Sequence, residues 1–234
     1  MKICTLCPRM CAVDRKSGER GICGQTTEIK VARAALHFWE EPCISGEMGS
    51  GAVFFSGCAL HCVFCQNENI ANGTAGKVIS TERLGEIFLE LQEKGANNIN
   101  LVTPGQFVPQ IIKAVELARN QNLKIPIVYN TSSYENVDTI RSLEGIVDIY
   151  LPDFKYFDTA LSAKYSHAPD YPAVAKAVIA EMVRQTGAAV FENGEDSLMK
   201  RGTIVRHLIL PGCTKDSKAV LKYLHETYEN QIYI

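Results

Sequence analysis

The sequence predicts an α/β fold, a partial (β/α)6 barrel of the TIM type behind a Cys-rich N-terminal extension. Three observations lead there. From about residue 46, short apolar runs alternate with amphipathic stretches of helical period, the pattern of a parallel sheet with right-handed crossovers. No GxGxxG follows the first run, which removes the main support for a doubly wound dinucleotide-binding sheet and leaves the partial barrel as the better fit. Residues 1–45, by contrast, are rich in Cys, Gly and charge, with little periodicity beyond the short apolar run VARAALHFW. We therefore divide the chain into an extension, 1–45, and a barrel, 46–234.

The elements follow in order. GAVFF (51–55) reads as a buried strand. TERLGEIFLELQEKG puts Leu84, Ile87, Phe88 and Leu91 on one helical face and closes at Gly95. NINLV is the second strand, and Val108, Ile111, Ile112 and Val115 mark the next helix. IPIVYN, a short helix around Val137 and Ile140, and IVDIYL come next, then a longer helix from about Pro172 to Arg184, ending before Gly187. ENGEDSLMKRG (192–202) reads as a polar loop, GTIVRHLIL (202–210) as the fifth strand, and SKAVLKYLHETY as its helix. QIYI, the last residues, reads as a sixth strand with no helix to cover it, an edge that wants protection.

A chain of 234 residues with 46% hydrophobic content can bury one sizeable core. Its net charge of -2 offers no electrostatic case for nucleic acid or a membrane surface. The start, MKICTLCPRMC, has no apolar signal region, and no apolar run approaches the roughly 18 residues of a membrane span. We read the protein as cytoplasmic. Of nine cysteines, eight lie at or before Cys65, an uneven and odd-numbered set that argues for metal binding over a disulfide framework in a reducing compartment.

Cys58, Cys62 and Cys65, in C-x3-C-x2-C spacing, follow the first strand, so their loop sits at its C-terminal end, where barrel enzymes place their sites. Three thiolates can take three corners of a 4Fe–4S cluster and leave one iron open for chemistry. Zinc with His61 as a fourth ligand is the rival, made awkward by the adjacency of His61 and Cys62. Cys4, Cys7, Cys11 and Cys23, spaced C-x2-C-x3-C-x11-C, suit a second metal site, either zinc or another iron–sulfur cluster, against the plainer reading of free thiols. Cys43 and Cys213 read as ordinary core or loop thiols.

FFSGCALHCVFCQN resembles the cluster loop of the radical S-adenosylmethionine (AdoMet) superfamily. CTLCPRMC, NLVTPGQFVPQI, YNTSSYE, YLPDFKY and VRHLILPG extend the resemblance to its pyruvate formate-lyase-activating-enzyme-like branch. The resemblance implies that AdoMet occupies the fourth iron through its amino and carboxylate groups. An electron from the reduced cluster then yields methionine and a 5′-deoxyadenosyl radical that abstracts hydrogen.

Such a site needs polar groups from several strand ends. Thr103 and Gly105 follow strand two, Asn130 and Ser132 strand three, Asp153 and Lys155 strand four. Singly, these are equally well turns, helix caps or a solvated pair; together, at successive strand ends, they favour a site. By resemblance, Thr103–Gln106 stands at the superfamily's Gly-Gly-Glu stretch but lacks its acid, leaving Gln106 to meet the AdoMet amino group through an amide oxygen. Asp153-Phe154-Lys155 matches the family's Asp-Leu-Lys, and Arg206, next to His207, is favoured by resemblance as the side chain that enters the barrel.

The implied partners are a reductant such as flavodoxin or ferredoxin, and a glycyl-radical protein or peptide. Related enzymes continue beyond the position of QIYI, so a shortened substrate wall is a further expectation. Two alternatives stay open: the same radical chemistry on a peptide or small molecule, and a non-catalytic iron–sulfur protein that kept the fold.

Overall fold

The computed structural model describes residues 3–193 and 197–234. Among the described residues, eight strands form one sheet in the order β3-β1-β2-β4-β5-β6-β8-β7. The strands are β1 (Ile29–His37), β2 (Ser50–Phe55), β3 (Lys77–Ile79), β4 (Ile99–Val102), β5 (Ile127–Thr131), β6 (Ile149–Pro152), β7 (Val190–Phe191) and β8 (Met199–Thr203). From β2 through β4, β5 and β6 to β8 every pairing is parallel, and strand order follows chain order without the reversal that defines a doubly wound sheet. β1 and β7 pair antiparallel at either flank, with β3 on the outer edge of β1.

The helices are α1 (Pro42–Ser45), α2 (Glu68–Ala71), α3 (Thr81–Glu93), α4 (Val108–Asn120), α5 (Val137–Arg141), α6 (Thr159–Ser166), α7 (Tyr171–Thr186) and α8 (Thr214–Tyr228). α3 starts where the Ser80 side chain accepts from the Arg83 N–H. Its Leu84, Ile87, Phe88 and Leu91 stripe packs into the main core with Ile111 and Val115 of α4 and with Val53, Phe55, Ile99 and Leu101 of the sheet. A second core, built from Tyr156, Tyr171, Ile179, Val205 and Leu224, reaches Leu60 inside the three-cysteine loop. The loop is thereby anchored by apolar burial as well as by its strand.

Four differences from the sequence reading have physical causes. β1 lies in the segment read as the extension, yet hydrogen-bonds along β2 from Val31 to His37. Its run of alanines gives too little contrast between faces to show a period of two. α6 is also additional, starting where the Asp158 side chain accepts from the Ala160 N–H. The strand expected at 202–210 instead begins at Met199, inside the supposed polar loop, because Val190 and Phe191 of β7 pair with it; residues 194–196 of that loop lie outside the described residues. β8 ends at Thr203 with single bridges at Ile204 and Arg206, while Leu208 and Ile209 are exposed. QIYI contributes one parallel bridge, Tyr233 to Ile204, in place of a sixth strand.

Candidate active site

The C-terminal ends of the parallel strands open into a cavity of about 720 Å³. Cys58, Cys62 and Cys65 line it together with Thr103, Asn130, Ser132, Asp153, Lys155 and Arg206. Gly105 and Gln106 stand behind it, on a smaller crevice shared with Cys4, Cys7, Cys23, Arg15 and Glu135. Cys58, Thr103, Thr131 and Ser132 line both.

The loop after β2 turns sharply at Gly57 (φ +86°), where a Cβ would lie 2.3 Å from the Cys23 carbonyl oxygen, so only glycine passes there. His61 is left-handed as well (φ 51°), and its Nε2 lies 2.9 Å from the Ile22 carbonyl, so its ring faces the N-terminal segment. Arg9 reaches in from that segment and holds the loop from outside. Its guanidinium donates to the carbonyls of Ala59 (2.9 Å), Leu60 (3.4 Å), Ser166 (2.9 Å) and His167 (2.5 Å).

The Leu60 N–H donates to Cys58 Sγ (3.4 Å) and the Ser166 hydroxyl to Cys62 Sγ (3.1 Å), contacts that favour sulfur carrying negative charge. Burial pushes the Cys58 thiol up to about 11, with Cys62 and Cys65 adding to the rise against N–H groups of His61 and Leu60. A metal bound there would displace that proton.

Opposite the loop, one carboxylate organises the strand ends. Asp153 accepts from Lys155 Nζ (2.6 Å) and Arg206 Nε (3.0 Å), while Arg206 Nη2 donates to Asn130 Oδ1 (2.6 Å). Burial opposes its charge, but Lys155 and Arg206 outweigh burial and hold the Asp153 carboxyl below its ordinary range. Tyr171, at the start of α7, ties two strand ends together: its hydroxyl lies 2.9 Å from the Asp153 carbonyl, 3.0 Å from that of Ser132, and accepts from the Lys155 N–H. His207 lines the cavity with Nδ1 2.6 Å from the Phe154 carbonyl.

Sequence reasoning missed three groups. Glu40 and Glu41, just past β1, approach Arg206 Nη1 at 3.5 and 3.7 Å, so a segment assigned to the extension forms a wall of the cavity. Burial pushes the Glu40 carboxyl up to about 7, Arg206 counteracts, and Glu41 and Asp153 push it further. The adjacent acids Glu40–Glu41, next to an apolar run, were a signal available in the sequence.

Glu135 is the third. It is buried beyond β5, accepts from Thr131 Oγ1 (2.7 Å) and Tyr129 OH (3.2 Å), and is pushed by burial up to about 7. A Cβ on Gly105 would lie 2.5 Å from its carboxylate, which accounts for the glycine there.

The Gln106 amide nitrogen is committed to the cysteine loop. It lies 2.9 Å from the Ser56 carbonyl, 3.1 Å from that of Gly57 and 2.9 Å from that of Thr103, so the amide braces the cysteine loop from beneath. Thr103 itself is held left-handed (φ 55°), a strained state for a β-branched residue and a common mark of functional sites.

The four N-terminal cysteines are electrostatic neighbours: Cys7 feels Cys11 and Cys23, and Cys23 feels Cys4 and Cys11. Among the described residues, no three Cys, His, Asp or Glu side chains converge at the spacing of a single metal ion, at this set or at the cluster loop, and zinc gains no support.

An α/β protein with a thiol-bearing loop at one parallel strand end and a ring of polar groups at the others is built to hold a bulky cofactor at that rim. Residues 52–224 match the radical SAM superfamily, and the chain belongs to it. Membership makes it a radical AdoMet protein, with the 4Fe–4S cluster and AdoMet as the family's cofactors. The three thiols on one cavity, with hydrogen-bond donors to two sulfurs, fit a cluster of this kind. The chain is also 25% identical, over 99% of its length, to an uncharacterized protein of Methanocaldococcus jannaschii. It spans 64% of that relative's length. Among the described residues no helix is long and apolar enough to cross a membrane.

Proposed function

We propose that the chain is a cytoplasmic radical AdoMet enzyme of the pyruvate formate-lyase-activating-enzyme-like branch, acting on a glycyl-radical protein or a related peptide. One observation carries the reading: the three thiols and six polar residues from successive strand ends line a single cavity. We take the in-order parallel strands as a partial barrel around it, since an unreversed order places every crossover helix on one face.

Cys58, Cys62 and Cys65 would hold the cluster. When bound, cluster and AdoMet together supply one-electron cleavage of the sulfonium to methionine and a 5′-deoxyadenosyl radical, with flavodoxin or ferredoxin as the source of the electron. The protein's part is placement and dryness. Lys155 and Arg206, which share the single carboxylate of Asp153, present charged N–H donors where a carboxylate would bind. Asn130 and Ser132 offer hydroxyl- and amide-type partners for a ribose. Leu60, fully buried, keeps the inner side of the loop free of water.

The test is anaerobic reconstitution with iron and sulfide, then AdoMet and dithionite, with 5′-deoxyadenosine quantified by chromatography. Product that disappears in Cys62→Ala supports the enzyme; no product from a verified 4Fe–4S protein overturns it. Electron paramagnetic resonance of a co-incubated glycyl-radical protein then separates an activase from radical chemistry on a small molecule.

A further inference from the structure

The buried guanidinium of Arg15 draws attention to the other thiol set. Only 5% of Arg15 is exposed. Its Nε donates to the Gln25 carbonyl (3.1 Å), its Nη2 to the Thr26 carbonyl, and its face lies over Phe107 at 5.8 Å. Among the described residues it has no carboxylate partner; its remaining contact is Nη1 to Cys4 Sγ at 4.0 Å. A buried cation needs a counter-charge, and neutral thiols supply none. Thiolates bound to metal do.

The rest of the segment is shaped around sulfur. A Cβ on Gly21 would sit 2.8 Å from Cys11 Sγ, and the Ile22 N–H donates to that sulfur at 3.3 Å. The Gly24 N–H closes a tight turn on the Gly21 carbonyl (2.9 Å), which points Cys23 inward beside Cys4 and Cys7 on the shared crevice. The segment is fastened to the barrel by Asn136 Nδ2 on the Thr5 carbonyl (2.6 Å) and Thr139 Oγ1 on the Leu6 carbonyl (2.8 Å). Cys58 lines the same crevice, and the backbone before it rests on Cys23.

We propose that Cys4, Cys7, Cys11 and Cys23 ligate a second iron–sulfur cluster, closed by four thiolates, charge-balanced by Arg15 and seated directly behind the loop of the first. A cluster is favoured over zinc because zinc needs four ligands drawn onto one ion, whereas a cluster spreads its thiolates over separate irons, and the thiols do not close on one ion. Four protein ligands leave no open iron, so this site would store or pass electrons and would not bind AdoMet. The assignment goes beyond the proposed AdoMet chemistry and stands without it.

The experiment compares three full-length proteins reconstituted anaerobically with iron and sulfide: wild type, C58A/C62A/C65A, and C4S/C7S/C11S/C23S. Iron, acid-labile sulfide and zinc per chain are measured, with reduced-state paramagnetic resonance before and after AdoMet. Wild type should hold about eight irons, and each variant about four. AdoMet should alter the signal of the N-terminal variant and leave that of C58A/C62A/C65A unchanged. A folded C58A/C62A/C65A protein, by circular dichroism, that binds no iron, or takes up zinc in its place, overturns the proposal. Should that variant not fold, wild-type iron decides: about four atoms per chain, all in an AdoMet-responsive cluster, also overturns it. Iron in C58A/C62A/C65A equal to wild type would sink the AdoMet reading and leave this one standing.

Discussion

Glu40 gives the sharpest test of the cavity's electrostatics. Its carboxyl faces Arg206 and shares its surroundings with Glu41, Asp153 and His37, the last at 3.9 Å. Burial and the neighbouring acids raise it from 4.5 to about 7 in the folded protein, against the pull of Arg206. Below pH 4.5 both folded and unfolded chains hold the proton, and the group contributes nothing to stability. Between 4.5 and about 7 the unfolded chain releases a proton that the folded chain retains, so stability falls as pH rises. Above about 7 the deficit is complete and constant.

At roughly 1.4 kcal/mol per pKa unit, that deficit is at most about 3–4 kcal/mol. Glu40→Gln keeps the shape and removes the ionisation. At about pH 5 the variant should melt close to wild type; at about pH 8.5 it should melt higher, by up to ~10 °C for a chain of this size. The assay is thermal unfolding of both reconstituted proteins at one scan rate across that range. A melting difference that stays flat with pH, or favours wild type at the alkaline end, would refute the placement of Glu40 against this acidic cluster.

Other expectations follow from named contacts. Gly105→Ala drives a methyl into the Glu135 carboxylate and should cost about 1–3 kcal/mol; urea unfolding should show the loss, and Glu135→Asp, one methylene shorter, should recover part of it. Arg9→Ala removes four donations to backbone carbonyls around the cysteine loop. The loop should release iron to a chelator about tenfold faster or more, given the worth of charged hydrogen bonds, as followed by cluster absorbance. Gln106→Glu places an anion against three carbonyl oxygens and should destabilise the loop by about 2 kcal/mol or more, read as lower iron retention. Retention equal to wild type would contradict the bracing role.

Much of the parallel sheet is legible because its strands are buried apolar runs between amphipathic helices, and α3 and α4 sit where Leu84, Phe88, Ile111 and Val115 place them. The cysteine loop is legible because thiols at that spacing have few uses. What escaped depends on contacts distant in sequence. β1 is defined by its partner β2 rather than by its own alternation. β8 is shifted toward Met199 by its pairing with Phe191. The adjacent acids Glu40–Glu41 do not reveal that Glu40 is drawn to Arg206, and Glu135, buried under Gly105, carries no local motif.

Gln106 shows how a departure from a family pattern is read from physics. The stretch matched by resemblance carries an acid elsewhere in the superfamily, and its loss here looks at first like a missing AdoMet contact. The side chain lines the smaller crevice, and its NH2 group serves Ser56, Gly57 and Thr103. A carboxylate has no hydrogen to offer any of these carbonyls. The amide is therefore required where it stands, and the carboxylate nearest Gly105 among the described residues comes from the end of another strand, as Glu135. Whatever holds the AdoMet amino group, the burden of charge in the large cavity falls on Asp153, Glu40 and Glu41 around Arg206. Two of those three acids belong to the segment just beyond β1, so the N-terminal region completes the cavity as well as bracing its loop.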